Sequence, residues 1–210
     1  MRAESLIFDV DGTLWDVRDM VARAWNRVMV REGYPDRFVT GESLTGLFGK
    51  TAGEIAALVF PGDPRGYDLL LKCLAEEDAL MAQTDAVSGY PGTVETMERL
   101  AKHHRLFIVT NGGKGYPQQV MGKLGMTRLF SGSLCHGETG TSKGETIRTL
   151  MARHSITSAV YIGDTLGDQQ ASDLAGLPFI WAAYGFGTPE HYDAKLEKIT
   201  DLPALMEDPL

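Results

Sequence analysis

Leu6-Ile7-Phe8-Asp9-Val10-Asp11-Gly12-Thr13-Leu14 is the stretch on which the fold turns. Three consecutive apolar residues without polar alternation read as a strand covered on both faces, as in a parallel sheet. A turn follows at once, so Asp9 and Asp11 can both reach the space above the strand's carboxyl end. In open α/β sheets that edge is where ligands bind. Two carboxylates so close repel each other unless a cation lies between them or one holds a proton, and either condition is chemically useful.

A second strand ends the same way, Val160-Tyr161-Ile162 running into Gly163-Asp164-Thr165-Leu166-Gly167-Asp168. Asp-Gly and Gly-Asp pairs also serve as plain turn residues. Two such segments, each directly after a buried strand, point past turn chemistry to a site for a hard octahedral cation such as magnesium.

Three more apolar runs read as strands: Leu106 to Val109, a weaker one from Leu129 to Leu134, and Phe179 to Ala182. Between them lie helical patterns. Val94, Met97, Leu100 and Ala101 share one face, as do Ile147, Leu150 and Met151 after the Ser142/Glu145 capping-box signal. The alternation predicts an α/β class, a doubly wound, Rossmann-like parallel-sheet core. One connection is too long for a simple crossover. It holds two amphipathic patterns, Val17 to Val28 and Leu70 to Met81, and no convincing strand. The reading is therefore a core of residues 1–16 and 88–210 with an inserted helical domain over 17–87, the return marked by Gly89-Tyr90-Pro91-Gly92.

Bulk properties narrow the function classes. The 210 residues carry 20 basic and 28 acidic side chains, a net charge of -8, which repels nucleic acid on average. No apolar run approaches the roughly 18 residues that cross a bilayer. Cys73 and Cys135 stand far apart without metal-ligand spacing, so a reduced, cytoplasmic protein with no nucleic-acid or membrane partner is the simplest expectation.

Two further pieces suit phosphate. Val109-Thr110-Asn111-Gly112-Gly113 offers a hydroxyl and flexible backbone amides at a strand end. Lys143 falls in the first turn of a capped helix, where the helix dipole slightly disfavours a cation. A solvated surface lysine is the alternative.

With these residues in place the chain resembles the haloacid dehalogenase-like superfamily. The four motifs occur in order as Asp9-Val10-Asp11-Gly12-Thr13-Leu14, Val109-Thr110-Asn111-Gly112, Lys143, and Gly163-Asp164-Thr165-Leu166-Gly167-Asp168. The insert corresponds to the helical cap of the group similar to phosphoglycolate phosphatase and β-phosphoglucomutase. The resemblance implies a phosphatase acting on a small phosphorylated metabolite, as monomer or weak dimer. Asp9 would be the nucleophile that becomes aspartyl-phosphate, and Asp11 the general acid and base. Thr110, Asn111, Gly112 and Lys143 would bind the phosphoryl group. Magnesium would be held by Asp9, Asp11 (through its main-chain carbonyl) and Asp164, with Asp168 beside them. The presence of Asp11 argues against dehalogenation, whose enzymes lack an acidic residue there. A sugar phosphomutase shares the motifs, but no extra basic cluster for a second phosphate stands out in residues 17–87. A non-catalytic phospho-ligand-binding protein should have lost one of Asp9, Asp11, Lys143 or Asp164, and all four are present.

Other signals carry less. Gly49-Lys50-Thr51 imitates the end of a P-loop, yet Leu44 stands where the first glycine is required. Lys50 is kept as a candidate substrate contact from the insert, its alternative being a surface lysine. His136 is a candidate pocket-liner, Trp25 and Met29 read as packing, His103 and His104 as solvated. Tyr184-Gly185-Phe186-Gly187 reads as a loop near the pocket rim.

Overall fold

The computed structural model describes residues 1–83 and 88–206. Six strands form one parallel sheet: β1 (Ser5–Phe8), β2 (Arg105–Thr110), β3 (Phe130–Cys135), β4 (Ala159–Gly163), β5 (Phe179–Ala182) and β6 (Ala194–Leu196), in the order β3-β2-β1-β4-β5-β6. The order reverses beside β1, which pairs with β2 on one side and β4 on the other. Phe8 is in register with both Ile108 and Ile162, so the next residues of all three strands meet at the switch point, where an α/β sheet opens its crevice.

Five strands were expected and six are present among the described residues. The sixth is a short edge strand in which only Leu196 is fully buried and Lys195 faces solvent, too brief and too charged to read as a strand. The weak apolar signal of β3 has the same origin, because β3 is the opposite edge and buries only Leu134 and Cys135.

The chain separates into two compact units, Met1–Trp15 with Ser88–Leu210, and Asp16–Val87. The second is built of α1 (Arg18–Arg31), α2 (Gly41–Leu44), a 3-10 turn over Thr45–Leu47, α3 (Ala52–Val59) and α4 (Gly66–Gln83). Helix α1 packs on α4, and the expected apolar positions Met20, Val21, Ala24 and Val28 are buried, as are Trp25 and Met29. The Trp25 indole donates to Glu77. Thr51, the last residue of the P-loop imitation, instead caps α3, its hydroxyl and backbone amide both bonded to the Glu54 carboxylate. Lys50, just before it, is exposed.

In the first unit, α5 (Thr93–Leu100), α6 (Tyr116–Lys123), α7 (His136–Thr139), α8 (Lys143–Arg153) and α9 (Leu166–Ala175) lie between strands, and α10 (Leu202–Leu205) follows β6. Ile7, Phe107, Val109 and Tyr161 cover one sheet face and pack with Ile147 and Leu150 of α8 and Ala171 of α9. Leu6, Phe8, Leu106, Ile108, Val160 and Ile162 alternate to the other face and are also buried. Burial on both faces explains the unbroken apolar runs, each such side chain contributing roughly 1.5–3 kcal/mol. The capping-box reading at α8 is half right. Ser142 accepts from the Glu145 amide, but the Glu145 carboxylate pairs with Arg148 at 2.9 Å. Of the histidines read as solvated, His104 is partly buried against the Ala3 carbonyl. Among the described residues no helix is long and apolar enough to cross a membrane.

Candidate active site

Asp9 follows β1 directly, its amide donating to the Ile162 carbonyl at 2.8 Å, so its backbone extends the ladder with β4. The chain then winds into a tight turn, with Thr13 and Leu14 amides both donating to the Val10 carbonyl. Gly12 lies within this turn at φ +82°, a left-handed conformation that costs glycine little. A Cβ there would lie 2.1 Å from Asp164 Oδ2, so a side chain at residue 12 would evict the Asp164 carboxylate. The glycine of the first motif thus permits the two acidic strand ends to close on each other.

Asp9, Asp164 and Asp168 form a buried group whose nearest carboxylate oxygens lie within 4.8 Å of one another. Lys143, the first residue of α8, is only 6% exposed, which discards the surface reading of this lysine. Its ammonium stands 2.7 Å from Asp168 Oδ1 and 3.0 Å from Asp9 Oδ1. The contact with Asp9 is an ion pair, and no other group hydrogen-bonds the buried Asp9 Oδ1. Asp168 is the opposite. Its Oδ1 accepts from Lys143 and from the Tyr161 hydroxyl, its Oδ2 from the Asp164 amide and from both the amide and the hydroxyl of Thr165. Asp164 is steadied by the Phe186 amide at 2.7 Å and by the Thr13 hydroxyl at 3.4 Å.

Electrostatics follow from burial. Desolvation pushes the Asp9 carboxyl up to about 7 against the pull of Lys143, with Asp168 and Asp11 adding to the rise. Burial likewise raises Asp164 well above the carboxylate range, with Asp168 and Asp9 contributing. Burial would raise Asp168 too, but Lys143 and Thr165 reverse the sign and hold it below its usual value. Burial alone would lower Lys143, and Asp168 and Asp9 outweigh it, keeping the ammonium charged. With three carboxylates against one ammonium, full ionisation leaves two negative charges uncompensated. A hard divalent cation fits that deficit, the all-oxygen donors and an Asp9 oxygen met only by the Lys143 ammonium.

The remaining expected residues divide. Thr110 is buried at the carboxyl end of β2, next to β1, its hydroxyl accepting from the Gly112 amide at 3.3 Å, and Asn111 and Gly112 are half-buried just beyond it. Asp11 lies one turn past Asp9, its carboxylate bonded by Trp15 and Tyr116. His136 begins α7 and spends its Nδ1 on the Thr141 carbonyl. Lys50 belongs to the helical unit. Sequence reasoning gave no role to Tyr161, Tyr116 or Trp15, and it placed the Tyr184–Gly187 loop near the pocket rim without assigning it a contact. That loop delivers the Phe186 amide to Asp164, and the Tyr184 hydroxyl to the Thr13 carbonyl at 2.8 Å. The two aromatic positions 15 and 116 carried no local signal of such a role.

Comparison with known proteins agrees with this geometry. The pattern of the "Haloacid dehalogenase-like hydrolase" family matches residues 6–182. Phosphoglycolate phosphatase of Aliivibrio fischeri is 28% identical over 201 residues, covering 88% of this chain and 86% of that protein. Pyrophosphatase PpaX of Listeria monocytogenes is 24% identical over 214 residues, covering 97% and 96%. A haloacid dehalogenase-like hydrolase family protein from Streptococcus pneumoniae has the same fold, with a TM-score of 0.85 at 19% identity over 97% of this chain and 98% of that one.

Proposed function

The chain belongs to the haloacid dehalogenase-like hydrolase family, and from that premise we propose that it is a magnesium-dependent phosphatase of small phosphomonoesters working through an aspartyl-phosphate. The observation that carries the reading is the buried pairing of Asp9 with Lys143 beside Asp164, at the point where the sheet reverses.

In the first half-reaction an Asp9 oxygen attacks phosphorus and the bond to the ester oxygen breaks. Asp11 supplies the proton that turns the leaving group into an alcohol. In the second, Asp11 takes a proton from water, the water oxygen bonds to phosphorus, and phosphate leaves as Asp9 is regenerated. Lys143, the Thr110 hydroxyl and the amides of Asn111 and Gly112 are assigned to the phosphoryl oxygens, where charge accumulates in the transition state. Asp9, the Asp11 main-chain carbonyl and Asp164 are the residues that would hold magnesium, which when bound neutralises charge between nucleophile and phosphoryl group. Asp168 is assigned to Lys143 rather than to the metal, because its oxygens already accept five hydrogen bonds. The helical insert is read as the family's cap, with Lys50 as its candidate substrate contact.

The test is phosphate release from a panel of esters with and without magnesium. The panel includes 2-phosphoglycolate, pyrophosphate, nucleotides and a hexose 1-phosphate, the last also assayed for conversion to the 6-phosphate. Magnesium-dependent release that Asp9→Asn abolishes is expected. Full turnover by Asp9→Asn would overturn the assignment of the nucleophile, and appearance of the 6-phosphate would make the enzyme a mutase.

A further inference from the structure

Asp11 is held in a way that its motif does not announce. The Tyr116 hydroxyl donates to Asp11 Oδ1 at 2.6 Å and the Trp15 indole N–H donates to the same oxygen at 3.0 Å. The donors come from separate parts of the chain. Trp15 closes the turn after β1, where its carbonyl accepts from the Gly12 amide, and its side chain is fully buried. Tyr116 opens α6 from 105 residues away. The two rings lie against each other, centroids 6.3 Å apart.

The local backbone serves this placement. Gly115 precedes α6 in a left-handed conformation and no side chain caps the helix, so its first residue is spent on Asp11 rather than on helix initiation. The Tyr116 ring lies directly over Gly112, where a Cβ would approach it to 2.5 Å. A glycine of the phosphate-facing loop therefore makes room for the ring that reaches the acid.

A carboxylate oxygen has two in-plane lone pairs. Both of those on Oδ1 are taken, and the carboxyl group cannot turn about its Cβ–Cγ bond without giving up both bonds. We propose that Trp15 and Tyr116 are positioning residues that divide the labour of Asp11. Oδ1 is the anchored oxygen, and Oδ2 is the one that gives the proton to the leaving group and takes it back from water. This rests on the hydrolase reading above. In the first step the Oδ2–H bond breaks and its proton passes to the ester oxygen, as the P–O bond to the leaving group breaks and the Asp9–phosphorus bond forms. In the second, a water proton moves to Oδ2 while the water oxygen replaces Asp9 on phosphorus. The anchor matters in proportion to how much the leaving group needs that proton.

Tyr116→Phe removes one hydroxyl and keeps the ring. It is compared with the parent on glycerol 2-phosphate, whose alkoxide must be protonated, and on 2,4-dinitrophenyl phosphate, whose phenolate leaves without help. The quantity read is kcat/KM, which covers only the steps through transfer to Asp9. The expected loss is about ten- to a hundredfold on the alkyl ester and markedly smaller on the aryl ester. Trp15→Phe is expected to show the same selectivity, with thermal melting reporting whether each variant folds. Equal losses on both esters by folded Tyr116→Phe, or no loss on either, would overturn the proposal while leaving the hydrolase reading intact. A parent inactive on both esters, and on the wider panel, would overturn that reading and the proposal with it.

Discussion

Lys72 and Lys143 each stand on a carboxylate at nearly the same distance, 2.6 Å from Glu32 and 2.7 Å from Asp168. The first pair lies on the helical unit, where Arg65 also reaches Glu32, and Arg27 and Arg31 together hold Glu76, every cation about half exposed. The second lies at the sheet's switch point with side chains 5% and 0% exposed. Distance does not separate the two lattices; water does. Around Glu32 solvent screens the pairing, so its geometry is worth little. Around Asp168 each charge depends on its neighbours, because an unpartnered ion there has no solvent to fall back on. Chemistry is assigned to the buried lattice because its surplus charge is out of reach of water and is left for a substrate or cation to answer.

The sharpest break of this comparison is Asp9→Asn. It should lower magnesium-dependent phosphate release by more than about a thousandfold in a steady-state assay. The metal-free variant should nevertheless melt no lower than the parent, since one buried carboxylate in excess has been removed. A parallel loss of fold and activity would count against the charge argument.

Next in size is Lys143→Met. Removing the ammonium strands Asp9 and Asp168, and urea unfolding should show a loss of about 3–5 kcal/mol. Glu32→Gln, which breaks a pair of equal length, should leave the midpoint unchanged within error. If the two substitutions cost alike, burial is not what distinguishes the lattices.

Magnesium affinity sharpens the contrast through pH. Asp9 is raised to about 7 by burial, so below that pH the folded, metal-free protein keeps a proton that a cation must displace. Binding measured calorimetrically should therefore tighten as pH rises toward 7, by about tenfold per unit for the Asp9 proton, with the raised Asp164 acting in the same direction. The same sign applies to folding. Asp9 is raised above its unfolded value, so in the metal-free protein its contribution to stability declines as pH climbs from about 4 to about 7. Added magnesium should offset that decline. Calcium or magnesium titrated onto the Glu32 lattice should show no such dependence, the smallest effect expected.

Much of this was legible in the linear chain, for a physical reason. Strands buried on both faces must be apolar without interruption, so β1, β4 and β5 stood out, and the acids directly after β1 and β4 could only lie at their carboxyl ends. What stayed hidden is what depends on contacts far apart in sequence. Tyr116 meets Asp11 across 105 residues and Phe186 meets Asp164 across 22, and neither aromatic carries a local pattern that announces a hydrogen bond to an acid. Lys143 was singled out by its place in a first helical turn and by the family motif, but its pairing with Asp9 and Asp168 shows only in the fold. Gly49-Lys50-Thr51, set aside as a P-loop because Leu44 stands in place of the first glycine, supplies its threonine to a helix cap. β6 was missed because an edge strand of three residues needs almost no hydrophobicity.

The pairing of β1 with β4 has a consequence for how the protein is made. Thr13 and Asp164 touch across 151 residues, so the earliest strand to leave a ribosome waits for one of the last before its acids acquire their neighbours. At typical synthesis speeds that wait is roughly ten to thirty seconds. Throughout it Asp9 lacks the partners that β4 brings, and the buried acidic group is complete only when the later strand pairs beside the first.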